Sequence, residues 1–383
     1  MTTVMIPSRT VHADVIVRGS WYEIDLGAIR NNYQQLRAHL SQNVKIYACL
    51  KRNGYGCGAA AVAATLAAEG ADGFAVASVN DALSIRNMGV ALPILLYPGA
   101  MPAAGPIVEA LDLTISISSI DELEQWRAAM TRIRAFIKVD LGFFRAGATP
   151  METERLLAAA YMHADVQVEG VYAHMSELPS SRPSDALDQL ARMQAILGAA
   201  SSRGVRPSIA MMSSTEGVLR HPDMDFDAVD PGALFVGLPD TDEPVRPLLL
   251  RPALKSICTT LVAVKRLDGS LGAVPEIPGF KVGMTLGVLG MGWGDGLPRS
   301  VPNGAEAIVR GRRARLLPPT HLEHLRIDLT DVPEARFGDQ VVLLGGQGDQ
   351  NITHDEVASL WGTDMIGLYG GLRDHIPKIY LNP

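Results

Sequence analysis

The chain has 383 residues, 47% of them apolar and 20% charged, which is enough to bury a large core in more than one domain and too apolar for a disordered protein. A formal charge of −7 argues against nucleic acid or an anionic membrane surface as the main partner. Three cysteines, Cys49, Cys57 and Cys258, show no metal-ligand spacing, so no metal is expected, and their odd number suits a reducing compartment rather than a disulfide framework.

In chain order, residues 1–18 read as a loose leader without the uninterrupted apolar core of a signal peptide. No apolar run approaches the ~20 residues that span a bilayer, so a cytoplasmic protein is expected. Between residues 44 and 238 short β-branched and apolar runs recur: VKIYACL, GFAVASV, LPILLY, LDLTISI, RAFIKVDL, VQVEGVYAHM, SIAMMSS and ALFVGL. Among them, Cys57–Gly70, Ile120–Thr131, Met151–His163 and Ala186–Gly204 repeat their apolar residues at helical spacing, and Ser119 with Glu122 offers a capping box. Strands alternating with helices, the strands continuously apolar, indicate an α/β fold with a parallel sheet covered on both faces. Eight repeats favour a closed (β/α)8 TIM-like barrel over an open doubly wound sheet. This barrel, with an N-terminal strand, is expected over residues 19–250. After about Arg251 the runs CTTLVAVKRL, AIVRG, LRIDLTD and DQVVLLGG are joined by Gly- and Pro-rich turns, which predicts a C-terminal mostly-β domain over 251–383.

In such a barrel the chemistry gathers at the C-terminal ends of the strands. Those ends supply Lys51 in CLKRNGYGCG, Lys138, Asp140 and Arg145 in IKVDLGFFRAG, His174 in VYAHMSE, Ser213 and Ser214 in MMSST, and Asp230–Gly232 in VDPGALFVG. Each alone has a plainer explanation. A lysine ends a strand where the chain re-enters water, a buried histidine is a satisfied core residue, and Asp-Pro-Gly is a turn. Together they point to an active-site mouth.

These segments resemble the alanine racemases, pyridoxal-phosphate enzymes with a (β/α)8 barrel and a C-terminal β domain. SWYEIDLGAIRNNYQQLR is similar to that family's opening strand and helix, and LKRNGYGCGA to its lysine motif; IKVDLGFFRAG, GVYAHMSE, VDPGALFVGL and GMGWGDGLPR follow in the family's order. The resemblance implies that Lys51 carries pyridoxal 5'-phosphate on its amine, where conjugation to the pyridine ring stabilises negative charge at an amino-acid Cα. It further implies that Tyr55, Ser214 and the amides of Gly232 and Ala233 hold the phosphate, that His174 lies under the ring, and that Arg145, with Lys138 beside it, orients cofactor and substrate carboxylate. A small amino-acid substrate and a head-to-tail homodimer are implied in the same way.

Four departures from the family pattern stand out. The arginine that donates to the pyridine nitrogen in the racemases is replaced by Asp230, and an acid before Pro-Gly is the arrangement of the decarboxylase branch of the same fold. A carboxylate there would favour a protonated ring and a stronger electron sink. The tyrosine that serves as second base from the partner subunit is absent near GAVPEIPGF. In the family's Met-Asp loop stands LLPPTHLEH, which offers His321, Glu323 and His324 as replacement proton-transfer groups, and the late phosphate-binding tyrosine aligns with Ile366. The expected function is therefore an amino-acid racemase or epimerase with an altered second base. Its substrate need not be alanine. Decarboxylation, retro-aldol cleavage or non-catalytic cofactor binding are the alternatives.

Overall fold

The computed structural model describes residues 19–175, 185–205, 207–239, 241, 244–274 and 279–383. The expected leader and the centre of GAVPEIPGF lie outside them. The chain forms two units, one from Ala28 to Arg251 and one joining the residues up to Gly27 with Pro252–Pro383.

In the second of these, strand β1 (Trp21–Asp25) lies between β10 (Leu254–Arg266), antiparallel to it, and β17 (Lys378–Leu381), parallel to it. This corrects the expected grouping of the opening strand with the barrel. The reason is visible in WYEID, whose side chains alternate half-buried and buried, the pattern of a strand that covers a core with one face only. The sheet continues from β10 through β11 (Thr285–Leu289), β14 (Leu325–Asp328), β13 (Arg312–Leu317), β12 (Glu306–Val309) and β15 (Gln340–Gln347) to β16 (Gln350–Ile352). Because β15 also pairs with β10, the strands from β10 to β15 run round in a ring.

The unit from Ala28 to Arg251 is the barrel. Parallel strands β2 (Lys45–Cys49), β3 (Gly73–Val76), β4 (Ile94–Leu96), β5 (Thr114–Ile117), β6 (Ile133–Lys138), β7 (Val166–Tyr172), β8 (Ile209–Ser213) and β9 (Ala228–Val229) close in sequence order. The closing pair sets Lys45 against Ala228 and Ile46 against Val229. Strands such as β3, β5 and β8 are buried along their whole length, hence their unbroken apolar runs. Helices Ala59–Ala68, Ile120–Ala129, Pro150–Tyr161 and Asp185–Ser202 occupy the four expected helical stretches. At the second of them Ser119 Oγ accepts from Glu122 N–H at 3.1 Å, while the Glu122 carboxylate reaches back to Ser118 N–H at 2.7 Å instead of to Ser119.

The eighth strand is a second correction. ALFVGL was expected to supply it, yet β9 lies earlier and Ala233–Val236 forms a 3-10 turn closed by Gly237 at φ 88°. Pro231 has no N–H to give a ladder, and the Thr215 hydroxyl oxygen accepts from both Gly232 and Leu234 N–H at 3.2 Å. The apolar run is buried as a turn, with Phe235 stacked on Tyr33 at 6.1 Å.

Inside the barrel the core is aromatic: Tyr47 meets Phe136 edge-on at 6.1 Å, Phe136 meets Tyr172 edge-on at 6.0 Å, and Tyr172 stacks on Tyr97 at 5.9 Å. Gly73 makes room for this column, since a β-carbon there would lie 2.6 Å from the Tyr47 ring.

Candidate active site

After Cys49 the backbone neither extends nor coils normally. Arg52, Asn53, Gly54 and Tyr55 take φ values of 56°, 55°, 62° and 55°, a left-handed turn. For each non-glycine residue this costs about 1–2 kcal/mol, so it persists only because its surroundings over-determine it. Gly54 N–H donates to Leu50 O at 2.9 Å, Gly56 N–H to Arg52 O at 3.0 Å and Gly58 N–H to Asn53 O at 2.8 Å. Asn53 Oδ1 accepts from Ala59 N–H at 2.8 Å. Strain of this kind concentrates where function needs an otherwise unfavourable geometry. Here it presents half-buried Lys51 and Tyr55 within five residues at one strand end.

The neighbouring strand ends surround them with charge. Asp230, immediately after β9, is buried; its Oδ2 accepts from the Tyr97 hydroxyl at 2.6 Å, while Oδ1 is buried with no hydrogen-bond partner among the described residues. Burial raises its carboxyl above the ordinary aspartate value, against the pull of the Tyr97 hydrogen bond and of the Lys138 and Lys51 ammonium groups. Lys138, the last residue of β6, is also buried, with Nζ 4.2 Å from the centre of the Tyr172 ring. Burial lowers its ammonium below the usual lysine value; Asp230 opposes this, and Arg145 and Lys51 add to it.

His174 follows β7 by two residues and packs against Phe143 at 5.4 Å, with the Arg145 guanidinium 4.3 Å from the centre of the same Phe143 ring. Burial, then the charges of Lys138, Lys51 and Arg145, push the imidazole down to about 3. It is neutral at physiological pH and unsuited to taking up a proton. The Asp140 carboxylate shapes the loop carrying Arg145: Oδ1 accepts from the N–H groups of Gly142, Phe143 and Phe144 at 2.9, 2.9 and 3.1 Å, and Oδ2 from Arg145 N–H at 3.0 Å. Arg145 itself is exposed.

At the other side of the mouth the backbone of Gly232 meets the Tyr55 hydroxyl so closely that a β-carbon would lie 2.3 Å from the oxygen. Ser214 stands at the N-cap position of the short helix Thr215–Arg220 after β8 without bonding to it through its side chain, and Ala233 begins the 3-10 turn. The Gly232 amide, assigned to a phosphate, donates instead to Thr215 Oγ1. Sequence reading missed Thr215 and Tyr97. Tyr97 was legible in principle, as the residue after β4 in the run LPILLY.

These groups fit pyridoxal phosphate. A lysine on a strained turn, a tyrosine hydroxyl set against glycine backbone, and a buried carboxylate oxygen lacking a donor are what an amine-linked, phosphorylated pyridine ring requires.

His321, Glu323 and His324 belong to the other unit, all exposed on one loop. The loop is ordered against the turn Trp293–Asp295: Trp293 N–H donates to His321 O and Gly294 N–H to Leu322 O, both at 2.9 Å, and His321 N–H donates to His324 O at 2.8 Å. The Arg326 guanidinium donates to His321 Nε2 at 2.9 Å. Ile366, on the helix Met365–Gly370, is exposed as well.

Residues 24–240 match the family model for the N-terminal domain of alanine racemase, and residues 280–380 the model for its C-terminal domain. The chain is 32% identical over 372 residues to the alanine racemase of Symbiobacterium thermophilum, covering 95% of this chain and 97% of that protein. It is 31% identical over 376 residues to that of Pseudomonas fluorescens, covering 93% and 97%. Among solved structures, alanine racemase from E. faecalis superposes with a TM-score of 0.83 at 28% identity, over 95% of this chain and 98% of that one. The Bacillus anthracis enzyme with bound L-Ala-P gives 0.83 at 26% identity, over 95% of each chain.

Proposed function

Because the chain belongs to the alanine racemase family, we propose that it is a pyridoxal-phosphate-dependent racemase or epimerase of amino acids in which the second proton-transfer group has changed. The observation that carries the reading is the left-handed turn that sets Lys51 and Tyr55 at the barrel mouth. When bound, pyridoxal phosphate supplies an electron sink that stabilises negative charge at the amino-acid Cα. Lys51 would hold it through its amine and move the proton on one face of Cα. Tyr55, Ser214 and Ala233 would hold the phosphate, with Gly232, whose amide donates to Thr215 Oγ1, letting the backbone approach the Tyr55 hydroxyl; His174 would pack on the ring as a neutral imidazole, and Asp230 Oδ1 would accept from the ring nitrogen. Lys138 and Arg145 would orient the substrate carboxylate.

Inversion at Cα requires a proton to leave one face and another to arrive on the opposite face, and Lys51 reaches only one. His321, Glu323 and His324 are the proposed source of the second, delivered from a partner subunit in a head-to-tail homodimer. An imidazole carries one ring nitrogen that can give a proton and one that can take it. A substrate other than alanine, or in addition to it, goes with this altered loop.

A second reading, cleavage of the bond from Cα to the carboxylate or to Cβ, is supported by Asp230, whose buried charge would strengthen the electron sink. Incubation with each common amino acid in D2O separates the readings. Deuterium at Cα with loss of optical rotation is expected, carbon dioxide would favour the second reading, and no change in any substrate would leave only cofactor binding. Borohydride reduction of the loaded protein followed by peptide mapping should label Lys51, and a label on another lysine overturns the assignment.

A further inference from the structure

We infer that Tyr97 is a positioning residue: by donating its hydroxyl proton to Asp230 Oδ2 it fixes the carboxylate and reserves Oδ1 for the N–H of the cofactor's pyridine ring. The inference rests on the proposed cofactor site, and it adds a residue that the site resemblance does not contain.

A carboxylate offers about four lone-pair positions, and a buried acceptor left unpaired is costly. In this barrel Oδ2 has the Tyr97 hydroxyl at 2.6 Å and Oδ1 has nothing among the described residues. Lys138, though close enough to be felt electrostatically, is directed over the face of the Tyr172 ring. A neutral donor on Oδ2 orients the group without cancelling its charge. The remaining negative charge therefore favours a cationic N–H at Oδ1, as a guanidinium on Oδ2 would not.

Tyr97 is itself held in place. Its ring stacks on Tyr172 at 5.9 Å and 30°. The Tyr172 hydroxyl is 2.6 Å from Ser116 Oγ, which donates its single proton to Leu96 O at 2.8 Å, so Tyr172 is the donor to Ser116. Leu96 is the residue before Tyr97. Burial, then the Asp230 charge, push the Tyr97 hydroxyl well above the ordinary tyrosine value, which keeps its proton available for donation.

The test uses the full chain loaded with pyridoxal phosphate carrying 15N in the ring, read by the nitrogen chemical shift, together with the affinity of the cofactor-free protein for it. Wild type should show a protonated ring nitrogen at neutral pH. Asp230→Asn should move the signal to the unprotonated position. Tyr97→Phe keeps the stacked ring and should move the signal part of that way and weaken affinity about tenfold, the worth of one hydrogen bond to a charged group. Thr153→Val, which deletes a buried hydroxyl bonded to Thr149 O on the helix Pro150–Tyr161, outside the Tyr97 network, should leave the nitrogen signal unchanged. A Tyr97→Phe signal identical to wild type, or an equal shift in Thr153→Val, overturns the inference. If Asp230→Asn leaves the signal at the wild-type position, Asp230 is not at the ring nitrogen and both the site assignment and the Tyr97 inference fall.

Discussion

Gly232 and Tyr55 stand 177 positions apart in the sequence numbering yet pack against each other, since a β-carbon on Gly232 would lie 2.3 Å from the tyrosine oxygen and 2.7 Å from its ring. Gly232→Ala should therefore cost about 1–3 kcal/mol by overpacking and should weaken cofactor affinity by displacing the hydroxyl. In a Tyr55→Ala background the same change should cost under about 0.5 kcal/mol, because the clashing partner is gone; urea denaturation of the four proteins checks this. His174 supplies a pH test. Its folded value, about 3, lies below the ~6.5 of an unfolded histidine, so the unfolded chain binds more protons between those values and stability falls with falling pH through that window. Between pH 8 and pH 5 wild type should lose roughly 2 kcal/mol more than His174→Gln. Thermal melts across that range give the comparison, and parallel curves for the two proteins would contradict it. Lys51, Asp230 and His174 could be singled out from sequence because each follows an apolar run directly. Tyr97 was overlooked because a tyrosine at the end of a run reads as core.

The element that most shapes the site is the left-handed turn after β2. Asn53 both adopts φ 55° and, through Oδ1, accepts from Ala59 N–H, so Asn53→Ala should destabilise by about 1–3 kcal/mol. Asn53→Gly, which takes the conformation freely but lacks the acceptor, should lose less. Both changes are measurable as shifts in melting temperature, and equal losses would mean that the backbone conformation contributes nothing. From sequence this stretch read as a strand end bearing a lysine motif, with no sign of its left-handed turn, since left-handed φ in Arg52 and Tyr55 is foreign to their own propensities and goes with the close Gly54–Ala59 packing. The eighth strand was misplaced for a related reason. Periodicity reports that ALFVGL is buried, but a buried 3-10 turn and a buried strand present the same apolar run.

For the whole molecule, β1 lies between β10 and β17, and Tyr22 donates its hydroxyl to Asp295 O at 2.9 Å. Deleting residues 1–25 should strip the unit containing the β10–β17 sheet of hydrogen-exchange protection while the barrel strands keep theirs; loss of protection in β2–β9 instead would contradict this division. Alternation of strands with helices, the change of pattern near Arg251 and the lysine at the first barrel strand end were determined by the sequence alone, because periodicity and turn chemistry are local. Which sheet takes β1, where the barrel closes, and that Tyr97 meets Asp230 across 133 positions were decided only in the tertiary structure. Each of these depends on which distant strands become neighbours, and strand pairing leaves no mark in the spacing of residues along either partner.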